Sequence, residues 1–98
     1  MVAWIRAEDG GVADLAVLAS ELGEPVDGLS PADRRDLALA HLGRGEERWL
    51  LVLDNLDSPD QLHECLPRGG GDRVLVTSRN RAVRQFALAL SLVAALLE

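Results

Sequence analysis

The stretch "RWLLVLDNLD", residues 48–57, decides the fold. Its apolar run through Leu53 ends abruptly in Asp54, Asn55 and Asp57. A near-continuous apolar run suits a parallel strand covered on both faces, because a half-exposed antiparallel strand alternates instead. The acidic end has three readings: a metal site, a set of helix caps, or half of a larger catalytic assembly.

The flanking residues favour alternation of strands and helices. After the run, Ser58-Pro59-Asp60-Gln61 reads as a helix start. Ser58 is the N-cap, Pro59 opens the first turn, and Gln61 stands where a capping-box partner belongs. This predicts a short helix over 59–65, before Pro67. Upstream, Ser30-Pro31-Ala32-Asp33 repeats the pattern and predicts a helix from Pro31 to about Leu42, stopped at Gly43. Earlier still, "VAWIRA" (2–7) reads as a strand and "VADLAVLASELG" (12–23) as a helix. In that helix Val12, Leu15, Ala16, Ala19 and Leu22 share one face, and Gly23 is a stop. Downstream, "RGGGD" is a turn, "RVLVTS" (73–78) a third strand, and Ala/Leu-rich sequence from Arg81 a last helix. The order βααβαβα predicts an α/β fold: a three-stranded parallel sheet joined by right-handed crossover helices.

With 98 residues, there is room for one small domain. A net charge of −6 argues against a nucleic-acid or anionic-membrane partner. All ten basic residues are arginine, so chemistry that needs a lysine ammonium is excluded from this chain. The single cysteine, Cys65, forbids an internal disulfide and fits a reducing cytoplasm. No secretory leader pattern opens the sequence. The apolar tail "FALALSLVAALLE" (86–98) is shorter than the roughly 18 to 20 residues that span a bilayer, so a buried or partner-facing helix is expected.

In open parallel sheets, ligands bind beyond the carboxyl ends of the strands. Asp54, Asn55 and Asp57 follow the second strand, and Thr77, Ser78, Arg79 and Asn80 follow the third. One carboxylate, hydroxyls and an arginine on one edge suit a magnesium-bound phosphate. Asp57 also reads as turn chemistry leading into the Ser58 cap. Gly69–Gly71 precedes its strand and lies at the wrong edge, so it reads as a turn. Gly10-Gly11 lies at the right edge but lacks phosphate-loop spacing. His41 and His63 read as surface residues, Cys65 as a core filler, and Trp4 and Trp49 as packing against the helices.

"WLLVLDNLD" together with "GGGDRVLVTSRN" resembles the central part of NB-ARC domains, which are STAND-class P-loop regulatory ATPases. "VAWIRAEDGG" is similar to the strand that follows their P-loop helix. The resemblance covers residues 2–81 and rests on the two paired motifs. It implies that Asp54 is the Walker B aspartate, holding Mg through water. Asn55 takes the place where many relatives carry a second, water-orienting acid. Arg79 resembles the sensor arginine, supported by Thr77 and Ser78. The cofactors implied are ADP or ATP with Mg in an intact parent, and none held tightly by this chain alone. The family's GxxxxGK[ST] loop has no counterpart here, so its strand and helix are expected upstream of Met1. The resemblance fades after Arg84, and the expected Pro-containing strand and helical lid do not follow.

In the family the P-loop strand lies beside the "TSR" strand. Without it, the strands are expected in the order 1-2-3, with the connecting helices on one face and a bare edge beside Arg73–Ser78. The chain then reads as a single partial NB-ARC-like domain (1–98), its 81–98 segment an apolar helix outside the clear resemblance. Its expected partners are the rest of the ATPase domain or an effector protein. The alternative is a non-catalytic interaction or self-association module using the apolar helix and the bare sheet edge. A free-standing enzyme using Asp54 and Arg79 ranks last, for want of a nucleophile and a general base.

Overall fold

The strand read from "RWLLVLD" is Leu50–Leu56 (β2), and it lies inside a parallel sheet. Its neighbours are β1 (Val2–Arg6) and β3 (Val74–Ser78), in the expected order β1-β2-β3. The computed structural model describes residues 1–44, 48–67, 74–89 and 93–96. The Gly69–Gly71 turn and Arg73 lie outside them.

Four helices connect the strands. Helix α1 covers Val12–Glu21 and α2 covers Pro31–Gly43; both lie between β1 and β2. Helix α3 (Pro59–Cys65) joins β2 to β3, and α4 (Arg81–Ala89) follows β3. The local signals act as their chemistry predicts. Ser30 Oγ accepts the Asp33 amide at 3.2 Å, and Ser58 Oγ accepts the Gln61 amide at 3.3 Å. Gln61 reaches back one residue further than a capping box requires, and its Oε1 accepts the Asp57 amide at 2.9 Å. Gly23 (φ 82) takes the left-handed conformation that stops α1, donating to Ser20 O while the Glu24 amide donates to Ala19 O.

One core forms beneath the sheet. Ala3 and Ile5 of β1, Leu51 and Leu53 of β2, and Val74 and Val76 of β3 alternate onto the same face. They meet Leu15 and Leu18 of α1, Leu39 and Leu42 of α2, Leu62 of α3 and Val83 of α4. All four helices therefore contribute to one side, as same-handed crossovers in a single direction require. Trp49 is buried in this core and donates its indole N–H to Leu42 O at 2.9 Å. Cys65 is fully buried; its Sγ donates to Gly10 O, and burial pushes the thiol up to about 12. It is inert packing at neutral pH. A Cβ on Gly11 (φ 72) would come within 3.0 Å of Ile5 and 3.1 Å of Cys65 Sγ, so this turn is a packing device and not a phosphate cradle.

Three expectations are corrected. The helix read from Arg81 through the tail is described over Arg81–Ala89, and Val93–Leu96 forms a fourth parallel strand, β4, on β3. The tail thereby satisfies backbone groups of β3 that would otherwise line an open edge. Trp4 does not pack against helices. Strand parity puts it with Val2 and Arg6 on the opposite face, where Trp4 is 61% and Val2 67% exposed. His41 is not a free surface residue: its ring is mostly covered, and Nδ1 lies 3.1 Å from Glu24 Oε1, beside Arg44. Among the described residues, no helix is long and apolar enough to cross a membrane.

The outer end of β1 is clamped. Asp14 Oδ2 accepts the Arg6 amide at 2.9 Å and Arg6 Nε at 3.1 Å, while Oδ1 accepts Nη2 at 3.1 Å. The guanidinium bond, followed by the amide bond, holds the Asp14 carboxyl below the usual carboxylate range. A depressed native pKa adds stability that is complete above the unfolded value of about 3.9 and is lost as pH falls through the native one. The stability difference between wild type and Asp14→Asn, measured by urea denaturation, is therefore expected to shrink as pH falls below that value. A difference that stays constant with pH would exclude the charge as its source.

Candidate functional site

The carboxyl ends of β2 and β3 gather the polar residues, and a bulge arranges them. The pairing of β2 with β3 runs regularly to Leu53 and resumes at Leu56 opposite Ser78. Between them, Asn55 is left-handed (φ 62), the only non-glycine residue among those described with positive φ. Asparagine tolerates this region better than most residues. The extra residue resets the alternation, so Leu53 and Leu56 both enter the core although they are three positions apart. Asp54 and Asn55 are thereby left half-buried at the sheet edge.

Asp54 is held from two sides. Thr77 Oγ1 donates to its Oδ1 at 2.5 Å, and Trp4 Nε1 donates to its Oδ2 at 3.3 Å. The same Thr77 hydroxyl accepts the Asn55 amide at 2.9 Å. One hydroxyl thus fixes both the carboxylate and the bulge. The Asn55 side chain turns the other way, and its Nδ2 donates to Glu8 Oε1 at 3.1 Å. Gln61 Nε2 reaches Glu8 O at 3.4 Å, tying the loop after β1 to the start of α3.

The structure divides the predicted site residues. Asp54, Asn55 and Thr77 form one connected hydrogen-bonded group. Ser78 does not join it: it is buried, and its hydroxyl donates to Leu56 O at 2.6 Å. Its work is to stitch β3 to β2 past the bulge. Arg79 is exposed just beyond, with no hydrogen bond or ion pair among the described residues. Asp57 is exposed and lends backbone only: its amide goes to Gln61, and its carbonyl accepts Asn80 Nδ2 at 2.8 Å.

Trp4 and Glu8 are additional members that the sequence reading did not place, whereas Asn80, expected at this edge, serves as a cap and a tie to the Asp57 carbonyl. Asn80 carried a signal, since a polar residue before an apolar run is an N-cap; its Oδ1 accepts the Ala82 amide at 2.9 Å. Trp4 and Glu8 had none, because their roles depend on the register of β1 against β2 (Trp4 opposite Val52, Arg6 opposite Asp54). The groove between α2 and α3, lined by Leu39, Ala40, Gly43, His63, Leu66 and Pro67, includes none of the predicted residues.

The donor set limits the chemistry. Among the described residues, no cluster of three or more His, Cys, Asp or Glu side chains could hold a metal ion. Asp54 supplies one half-buried carboxylate, and each of its oxygens already accepts a hydrogen bond. No family model, curated protein or solved structure matches this chain.

Proposed function

We propose that this chain is the Walker B and sensor part of an NB-ARC-type nucleotide-dependent switch. The observation that supports this most is the Asp54–Thr77 bond. It ties the acid near the carboxyl end of one parallel strand to the hydroxyl of the "TSR" strand, at the edge where parallel sheets bind ligands.

In this reading the bound group is MgADP or MgATP, which supplies the phosphates and the Lewis acid. Asp54 would hold the magnesium, through water, and Thr77 fixes the Asp54 carboxylate. Arg79, free of internal ion pairs among the described residues, meets phosphate oxygens through its fork of donors. Asn55 stands where a second acid would orient water for attack. It cannot serve as a base, and its amide donates to Glu8, a bond that an ionised acid could not make. The reading therefore includes slow hydrolysis, as suits a switch. The exposed flank of β1 carrying Val2 and Trp4 is then a surface for the rest of such a domain.

The sequence contains no lysine, so this reading requires a phosphate-gripping lysine loop from outside these 98 residues. Titration calorimetry with MgADP and MgATP is expected to give no saturable binding at micromolar nucleotide. A micromolar Kd for this chain alone would overturn the assignment of most of the affinity to that loop. An in-frame GxxxxGK[ST] motif in the gene upstream of Met1 is the matching genetic expectation.

A further inference from the structure

The geometry of the free edge points to a guard against self-pairing. The β1 register fixes which backbone groups face outward. Met1 O accepts the Leu50 amide and the Ala7 amide donates to Asp54 O, so the odd-numbered residues bond to β2. The amides and carbonyls of Val2, Trp4 and Arg6 therefore point away from the sheet. Those of Val2 and Trp4 have no partner among the described residues, whereas the Arg6 amide is taken by Asp14 at 2.9 Å.

An antiparallel pairing of β1 with β1 of a second copy has several symmetric registers that use these groups, of which the longest and the longest that spares Arg6 matter most. Centred on Trp4, it pairs Trp4 with Trp4 and Val2 with Arg6 twice over, engaging the whole strand. Centred on Ala3, it pairs only Val2 with Trp4, twice. The longer register needs the Arg6 amide, because each hydrogen-bonded pair exchanges both of its N–H···O bonds. We propose that Asp14 is an edge guard: by occupying the Arg6 amide, it denies β1 the full-length antiparallel pairing with a second copy of this chain.

Other features of the strand make a guard useful. Val2 and Trp4 leave an apolar, exposed flank beside the open edge, and exposed apolar edges invite association. The opposite edge of the sheet carries no such device at β3, because β4 covers it. Asp14 sits in the first turn of α1, whose packing on the core fixes its distance from β1. The guard is therefore held by the fold and not by a flexible loop. The inference stands independently of the nucleotide reading.

Sedimentation velocity tests it. Wild type is expected to be monomeric at micromolar concentration. Asp14→Ala is expected to self-associate with a constant higher by about tenfold or more. Arg6→Ala keeps the amide–carboxylate bond, so it is expected to stay monomeric; this separates the guard from the salt bridge. Asp14→Ser, whose side chain is too short to reach but suits a helix first turn, replaces the alanine variant should circular dichroism show that one unfolded. In the Trp4→Cys/Asp14→Ala double variant, the register centred on position 4 brings the Cα atoms of the two introduced cysteines to about 5.5 Å, within disulfide range. Mild oxidation is then expected to crosslink the dimer. A folded Asp14 variant that remains monomeric, an Arg6→Ala chain that dimerises equally, or a dimer without the crosslink would each overturn the proposal.

Discussion

Leu53→Ala is expected to lower the unfolding free energy by about 2–5 kcal/mol, the range for leaving a cavity in place of a buried leucine side chain. Leu53 is fully buried in the central strand, opposite Ile5 on one side and Val76 on the other. Both neighbours belong to the same core, together with leucines of α1, α2 and α3. The cavity would be walled by sheet and helix alike, so little relaxation can fill it. A small domain has a total stability of about 5–15 kcal/mol, so this one change removes a large share. Urea denaturation followed by circular dichroism measures it. Val17→Ala, on an α1 position that is 58% exposed, is the control; it should shift stability by no more than about 0.5 kcal/mol. A loss at Leu53 as small as the control's would mean that the sheet and helices do not close over one core.

Much of this architecture is legible in the sequence because it rests on local chemistry. The Ser-Pro starts at 30–31 and 58–59 set two helix beginnings, and the run ending at Leu53 sets the central parallel strand. With three strands alternating with helices, handedness leaves one simple order, and the structure adopts it. The misses have a common cause: each depends on what lies across the chain. The tail "ALALSLVAALLE" has strong helix formers throughout, and propensity alone continues the helix. The unpaired edge of β3 overrides it at Val93–Leu96, because backbone groups there gain partners that a longer helix would not supply. Trp4 looks like core by type, yet alternation from the buried Ala3 and Ile5 forces it outward. The bulge was not visible. The sequence reading ends this strand at Asp54; only with Leu56 inside it do Leu53 and Leu56, three apart in a period of two, require an extra residue between them. That the extra residue is Asn55, and that Thr77 secures it, follows only from the β2–β3 register.

Thr77→Val tests the same hydroxyl directly. Valine keeps the branched shape that suits a strand and removes only the oxygen. That oxygen has two partners: it donates to Asp54 and accepts the Asn55 amide. Its loss leaves a part-buried backbone N–H without an acceptor and withdraws a donor from a carboxylate. A polar group stranded in this way costs about 1–3 kcal/mol, more than the net worth of an ordinary hydrogen bond. Thr77→Val is therefore expected to lose that amount in urea denaturation and to speed hydrogen exchange at the Asn55 amide. Thr77→Ser keeps both bonds and loses one methyl group, so it should cost about 1 kcal/mol or less. The order matters more than the sizes: valine must be worse than serine, although valine is the better strand former and the closer match in shape. If serine proves the more damaging, the site is held by packing, and the hydroxyl does not organise Asp54 and the left-handed Asn55.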